Sequence, residues 1–445
     1  MLNVHLRTSK AIAAAIADAH LNRVKPIEEH NAQSIHETAY FEKLRSEVDR
    51  KFCGKDRCRF ILPIAITEQE SKAQQHFRQI AFLSGYLDRT IVLPNVHSSH
   101  LGACRKHPFS FYYDYSWLED NKDTFSYITM EKFQEWLKER QHIQTIPTGQ
   151  EVAIDLIENG PLVENCFKER FDFTHRPRSR FQLNDPELAK HRKGNYTELI
   201  LNALSDEMME RAYTGSAVDI PPVDVINLYY DRRFTFIEHK KAKMPLTYSN
   251  QWTDLADQIT AKLTPFVAVH WRMERLEPLR NMMPCAQRLV EKVKEISPDD
   301  PINVFLLTDY PHLLMTSKAK PESMSFKLNE LQQEHHDAVK YVYENLNLTL
   351  TTLHQTNDPI PYDELPPGWN LIPVNPNASP ADASVLGIVD KLVAIRAQWF
   401  LAGEQGKCGK TSSFTRRIIY ERLHAYENGS TAIRHPVDVF KLPRK

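Results

Sequence analysis

The sequence predicts an α/β protein made of two Rossmann-like, doubly wound domains. Three observations carry that expectation. Arg59–Ile66 is an apolar run of strand length, and an amphipathic helix and a second run, Arg89–Pro94, follow it as a β-α-β start. Near Leu246 the alternation restarts, with strands expected at Pro265–Arg272 and Asn303–Asp309 around a helix at Met283–Ile296. Between Val385 and Arg422 a helix, the short run Trp399–Ala402, a glycine loop, a hydroxyl cluster and a further helix succeed one another.

In chain order, residues 1–50 read as a polar leader or surface helices, and 51–245 as the first domain. Thr67 is placed to cap the first long helix, with Glu70 at the capping-box position. That helix has Ala73, Phe77, Ile80, Ala81, Leu83 and Leu87 on one face. Phe109–Tyr115 reads as a strand or lid, Met130–Arg140 as a helix and Asp224–Tyr230 as a strand. The second domain spans 246–430, with helices at Tyr248–Leu263 and Glu334–Tyr343, a proline-rich loop at Pro359–Pro376, and a tail at 431–445.

Composition narrows the function classes. The net charge is −1 and the pI about 7.0, which argues against a dedicated nucleic-acid or anionic-membrane partner. The interleaved bases and aromatics of Phe167–Phe181 therefore read as a solvated loop rather than a single-strand binding surface. Mean hydropathy is −0.48, and no apolar run approaches the ~20 residues of a membrane span. No signal peptide is visible at the N-terminus. Six cysteines and sequons at Asn195, Asn347, Asn377 and Asn428 leave the compartment open. Cys53 and Cys58 read as a local disulfide or two free thiols. His335-His336 reads as a polar helix face, and no metal site is expected.

The chain has 13 glycines, and Gly403, Gly406 and Gly409 crowd one loop. Thr411-Ser412-Ser413-Phe414-Thr415 then opens a helix. Free amides and the positive end of a helix dipole favour an anion there, although Ser and Thr are also ordinary helix caps. Gly409-Lys410-Thr411 is not a Walker A loop, because the preceding glycine would have to stand at Glu404. His270–Arg272 and Thr308-Asp309 also fall at strand C-termini, where doubly wound sheets place their ligands. The chain lacks a G-x-S-x-G elbow, which removes an α/β hydrolase reading.

His270-Trp271-Arg272 after Val-Ala-Val, Phe305–Asp309, and Asp390 followed by Phe400 and Ser412-Ser413-Phe414-Thr415 resemble the ordered blocks of GDP-fucose protein O-fucosyltransferases. Leu87–Pro94 resembles that family's second strand, and the likeness covers most of 58–425. The resemblance implies a GT-B-like fold, two Rossmann-like domains facing a cleft, with the acceptor side in the first domain and the nucleotide sugar in the second. It implies metal-independent, inverting transfer of fucose from GDP-fucose to an acceptor hydroxyl of a protein or glycan, with no further cofactor, in the secretory pathway lumen. Arg272 would neutralise the departing β-phosphate and His270 would contact the nucleotide. Asp390 would accept from guanine, while Ser412, Ser413 and Thr415 would bind the diphosphate and Phe414 would pack by the nucleoside. Glu68 matches the family's Glu position and would be the base, although Thr67–Lys72 departs from the glycine-rich version of that segment. A non-catalytic nucleotide-sugar-binding relative is the alternative from another class.

Overall fold

The computed structural model describes residues 39–154, 164–174, 179–181, 198, 201–202, 204–205, 222–230, 237, 239–310, 330–352, 370–374, 382 and 384–442. Its first half holds α1 (39–53), β1 (Phe60–Ile66), α2 (Glu70–Tyr86), β2 (Thr90–Val92), β3 (Val96–His97) and β4 (His100–Leu101). There follow β5 (Tyr127–Ile128), α3 (Met130–His142), β6 (Gly149–Ile154), β7 (Ser179–Phe181) and β8 (Val225–Tyr230). Strands β5-β2-β1-β8-β6-β7 form a parallel array, and the β3–β4 hairpin attaches antiparallel to the end of β1. Alternation along β1 sends Phe60 and Leu62 to α3 and Ile61 toward α2. An irregularity between Pro63 and Ala65 resets that alternation before the strand ends.

The second half holds α4 (Asn250–Leu263), β9 (Phe266–Trp271), α5 (Met282–Ile296), β10 (Asn303–Thr308), α6 (Gln333–Asn345) and β11 (Leu348–Thr352). It continues with β12 (Asn370–Pro373), α7 (Ser384–Arg396), β13 (Trp399–Gly403), α8 (Ser413–Glu427) and β14 (His435–Phe440). All six strands run parallel in the order β12-β11-β10-β9-β13-β14. On β9, Val267, Val269 and Trp271 pack into the α5–α6 layer, while Phe266 and Ala268 join the core of α4 and α7. That second core is continuous with the α2 side of the first sheet. The two Rossmann-like halves therefore share apolar interior where they meet.

Several expectations need correcting. The segment expected as a tail holds a strand: His435–Phe440 is the edge strand β14, paired with β13, and residues 443–445 lie outside the described residues. Pro436 suits an edge, where a missing N–H costs no ladder bond. The proline-rich 359–376 stretch contains β12, and its residues 359–369 and 375–376 lie outside the described residues. Phe109–Tyr115 is neither strand nor lid: Phe109–Phe111 is a 3-10 turn whose neighbours Tyr112 and Tyr113 are buried. Thr67 does not cap α2, because Gln69 is the N-cap residue and no side chain bonds there. Glu68 takes a positive φ of 76° in that turn, and Glu70 is drawn away into a buried network.

All six cysteines pair, as Cys53–Cys58, Cys104–Cys166 and Cys285–Cys408. Among the described residues no helix is long and apolar enough to cross a membrane. Arg422 on α8 is fully buried and donates to the carbonyls of Ala394, Ala397, Pro436 and His435. It thereby closes the C-terminal end of α7 against β14.

Candidate functional site

The second sheet reverses its winding between β9 and β13: β10, β11 and β12 step away on one side, β13 and β14 on the other. In an open parallel sheet the crevice beyond those two strand ends is where ligands bind. Strand β9 delivers His270 and Arg272 to it, and β13 delivers the glycine loop. Because side chains alternate, His270 faces α7 and α8, whereas Trp271 turns to the opposite layer and donates from Nε1 to the Cys408 carbonyl at 3.0 Å.

The glycines serve the loop itself. A Cβ on Gly403 would meet the Cys408 carbonyl oxygen at 2.4 Å, and one on Gly409 would meet Gly403 Cα at 2.9 Å. Gly406 sits at a φ of +74°. The glycines therefore let the loop's own limbs approach each other, and the Cys285–Cys408 disulfide fixes the loop to α5. This folding carries the chain from Gly403 to the α8 N-terminus, and Lys410 comes within 3.5 Å of Glu274. Lys410, which enters the sequence only through the rejected Walker A pattern, thus joins the charged cluster here.

Arg272 is bound by Glu274, with its Nε 3.0 Å from Oε2, and lies 3.9 Å from Asp309 Oδ2. Asp309 accepts from the Met273 and Glu274 amides at 2.8 and 3.0 Å, which fixes the backbone leaving β9. Burial raises the Asp309 carboxyl, against the pull of those amides and Arg272. Burial also pushes Glu274 up, but Arg272, Lys410 and Arg275 outweigh it and hold that carboxyl below its usual range. An anionic ligand entering here would compete with Glu274 for Arg272 and Lys410.

His270 is buried, and its pKa is pulled down to about 3 by desolvation and by the charge of Arg272. It is a neutral imidazole, with Nδ1 3.1 Å from the Thr415 hydroxyl and its ring 5.4 Å from that of Phe414. Ser412 is the α8 N-cap and shares a reciprocal capping box with Thr415: its hydroxyl accepts from the Thr415 amide at 3.2 Å and its amide donates to Thr415 Oγ1 at 3.1 Å. Thr415 is buried between Ser412 and His270. The capping box leaves the Ser413 and Phe414 amides in the open first turn, where an anion can accept from them.

Asp390 is half-buried on α7 and accepts from the Thr351 hydroxyl at the end of β11. Its neighbour Lys391 points the other way, into the seam between the halves. There Lys391 Nζ lies 2.6 Å from Glu70 Oε2 and 2.6 Å from the Tyr248 hydroxyl. Tyr113, Tyr248 and Gln74 donate to Glu70 Oε1 at 2.8, 2.9 and 2.9 Å. Burial opposes charge on Glu70, yet Lys391 and the tyrosine hydroxyls hold its carboxyl below the usual range. Burial also lowers Lys391, partly offset by Glu70. The Lys391 ammonium stands 5.3 Å from the Phe414 ring centroid, so the seam reaches the α8 N-terminus.

Glu68 stands outside this network. It pairs with Lys72 at 3.0 Å, its side chain is about one-quarter exposed, and its carbonyl lies 3.1 Å from His100 Nδ1. The structure thus brings His270, Arg272, Phe414 and the α8 cap together, and sets Asp390 against β11 and Glu68 at the end of β1. The sequence suggests only a capping role for Glu70 and no site role for Tyr113, Tyr248 or Lys391. The available signal is a second charged residue, Lys391, beside Asp390 inside an otherwise apolar helix.

No family model matches the sequence, and no curated protein matches it. Among solved structures, the chain is similar to POFUT1 in complex with GDP, with a TM-score of 0.44 and 17% identity over 86% of this chain and 98% of that one. POFUT1 in complex with GDP-fucose gives 0.43 and 15%, over 86% and 98% of the two chains. The fucosyltransferase NodZ from Bradyrhizobium gives 0.34 and 12%, over 82% and 92%. No residue role follows from likeness at this level, and these are structures the chain resembles.

Proposed function

We propose that this chain is an inverting, metal-independent glycosyltransferase that moves fucose from GDP-fucose to an acceptor hydroxyl, of a protein Ser or Thr in the first instance. The observation that supports it most is the group of Arg272, Lys410, neutral His270 and the open first turn of α8 at the β9/β13 switch point. This set supplies fixed positive charge where a diphosphate leaving group would gather negative charge. The acceptor oxygen attacks the anomeric carbon, the bond from that carbon to the phosphate oxygen breaks, and GDP leaves with the electron pair. Arg272 exchanges Glu274 for the β-phosphate, and His270 contacts the nucleotide through a ring nitrogen. Asp390 accepts from guanine, Ser412, Ser413 and Thr415 order the diphosphate end through the α8 cap, and Phe414 flanks the nucleoside.

Glu68 takes the proton of the acceptor. Glu70 is less suited to that task, because both of its oxygens are committed in the buried seam. Three disulfides support an oxidising compartment, the secretory pathway lumen. A second reading, donor binding without transfer, draws on the ion pairs that occupy Arg272 and Glu68.

Calorimetric titration with GDP, UDP and ADP in chelator-treated buffer tests the donor site. GDP alone should bind, and Arg272→Ala should weaken it about tenfold to a hundredfold, the worth of a charge-assisted contact. Absence of nucleotide binding by folded protein would sink the reading. Glu68→Gln should keep GDP affinity and lower transfer by about 10² or more. An unchanged transfer rate would remove Glu68 from the chemistry, and no transfer by wild type to protein or glycan acceptors would favour the non-catalytic reading.

A further inference from the structure

His97, His107 and Asp382 come from three separate segments, and one ligating atom of each lies within 4.8 Å of the others. The local fold explains the approach. His97 ends β3, and Val96 and His107 exchange both backbone hydrogen bonds, at 2.8 and 3.0 Å, across an antiparallel bridge. The two imidazoles thus project from adjacent extended segments, with ring centroids 5.4 Å apart. Asp382 comes from the other half of the molecule, two residues before α7, and is fully buried.

The carboxylate is held from behind. Asp382 accepts from the Tyr112 hydroxyl, the Ser98 amide at 3.1 and 3.2 Å, and the amide and hydroxyl of Ser384. The histidines are not so satisfied: His97 Nδ1 and His107 Nε2 are buried without a hydrogen-bond partner. His97 Nδ1 lies 3.6 Å from Asp382 Oδ2, too far for a hydrogen bond. His107 is 9% exposed, with its ring stacked on Phe111 at 4.2 Å. Two buried, unpartnered ring nitrogens beside a buried carboxylate are costly unless something joins them.

We propose that His97, His107 and Asp382 bind a divalent transition-metal ion of the zinc type, shared between the two halves of the chain. Two neutral imidazoles and one carboxylate are a zinc-like donor set, whereas calcium and magnesium take oxygen cages. Tetrahedral zinc needs its ligand atoms about 3.3 Å apart, so the trio closes by side-chain adjustment. Water completes the coordination. Tyr112, Ser98 and Ser384 then act as the outer donors that orient a ligating carboxylate. Arg105 and Lys106 lie close enough for their charges to act on His97, so the cation depends on Asp382 for compensation. The ion ties β3 to the entrance of α7. It shares no residue with the Arg272 cluster, so it is compatible with metal-independent transfer and does not rest on that reading.

The test is titration of the chelator-stripped full chain with Co²⁺ and Zn²⁺. We expect one equivalent of Co²⁺ with the intense visible absorption of a tetrahedral site, displaced by Zn²⁺, and a Tm that rises with Zn²⁺. His97→Ala and His107→Gln should each abolish both signals while GDP affinity stays at the wild-type value. Mass-mapped carbethoxylation gives a readout on wild type alone, in which Zn²⁺ should protect His97 and His107 selectively. Absence of a tetrahedral Co²⁺ spectrum, equal Zn²⁺ response in the folded variants, or unprotected histidines would each overturn the site.

Discussion

The two sheets each have a switch point, and they use it in opposite ways. In the second sheet the crevice between β9 and β13 is lined by charged groups that reach solvent, with Arg272 and Lys410 side chains 21% and 37% exposed. In the first sheet the order reverses between β1 and β8, and the residues after β1 lead into a plug. Glu70, Tyr113, Tyr248 and Lys391 fill that position, all buried and hydrogen-bonded to one another. Topology marks both positions as ligand crevices. Burial separates them: one keeps its charges exchangeable, and the other has consumed them in joining the halves.

The comparison can be broken most forcefully at the plug. Lys391→Met leaves Glu70 buried without its cation and should cost about 3–5 kcal/mol, seen as a lowered Tm, whereas Glu70→Leu with Lys391→Met should recover most of it. If Lys391→Met kept wild-type stability but lost GDP binding, the plug would be part of the ligand site. At the open switch point, Cys285→Ser with Cys408→Ser should cost about 2–4 kcal/mol and weaken GDP binding several-fold. Equal GDP affinity in the folded variant would show that the loop holds its shape without the cross-link.

His270 supplies the smallest and most specific effect. Its folded pKa of about 3 lies below the ordinary 6.5, so between these values the unfolded chain binds a proton that the folded chain does not. Stability from this residue is complete above pH 6.5 and is lost as pH falls toward 3. His270→Gln should remove up to about 1.4 kcal/mol per pH unit from that slope, measured by denaturation between pH 6.5 and 4.5. An unchanged slope would mean that His270 is not buried as a neutral ring.

What the sequence made legible followed from local pattern. The apolar runs of β1, β9, β10 and β13 stand out because parallel strands covered on both faces are continuously hydrophobic. Strand β11, Leu-Thr-Leu-Thr-Thr, is equally buried but carries threonines, and β14 carries Pro436 and Asp438, so neither announced itself. The switch-point residues were readable because they end strongly apolar strands. Glu70 was not, since a first-turn glutamate is ordinary and only its distant partners, Tyr113, Tyr248 and Lys391, show what it holds. The same limit applies to Asp382, whose histidine neighbours His97 and His107 stand 285 and 275 residues earlier in the sequence.

Arg422 gives α7 and α8 a common anchor. Its guanidinium joins the last carbonyls of α7 to those of β14, and α7 and α8 pack along one another. The helix carrying Asp390 and Lys391 and the helix carrying Phe414 are therefore tied together at the end remote from the crevice. At the other end Phe414 meets the Lys391 ammonium, which pairs with Glu70, so direct contacts run from the α8 N-terminus to the opposite half of the molecule.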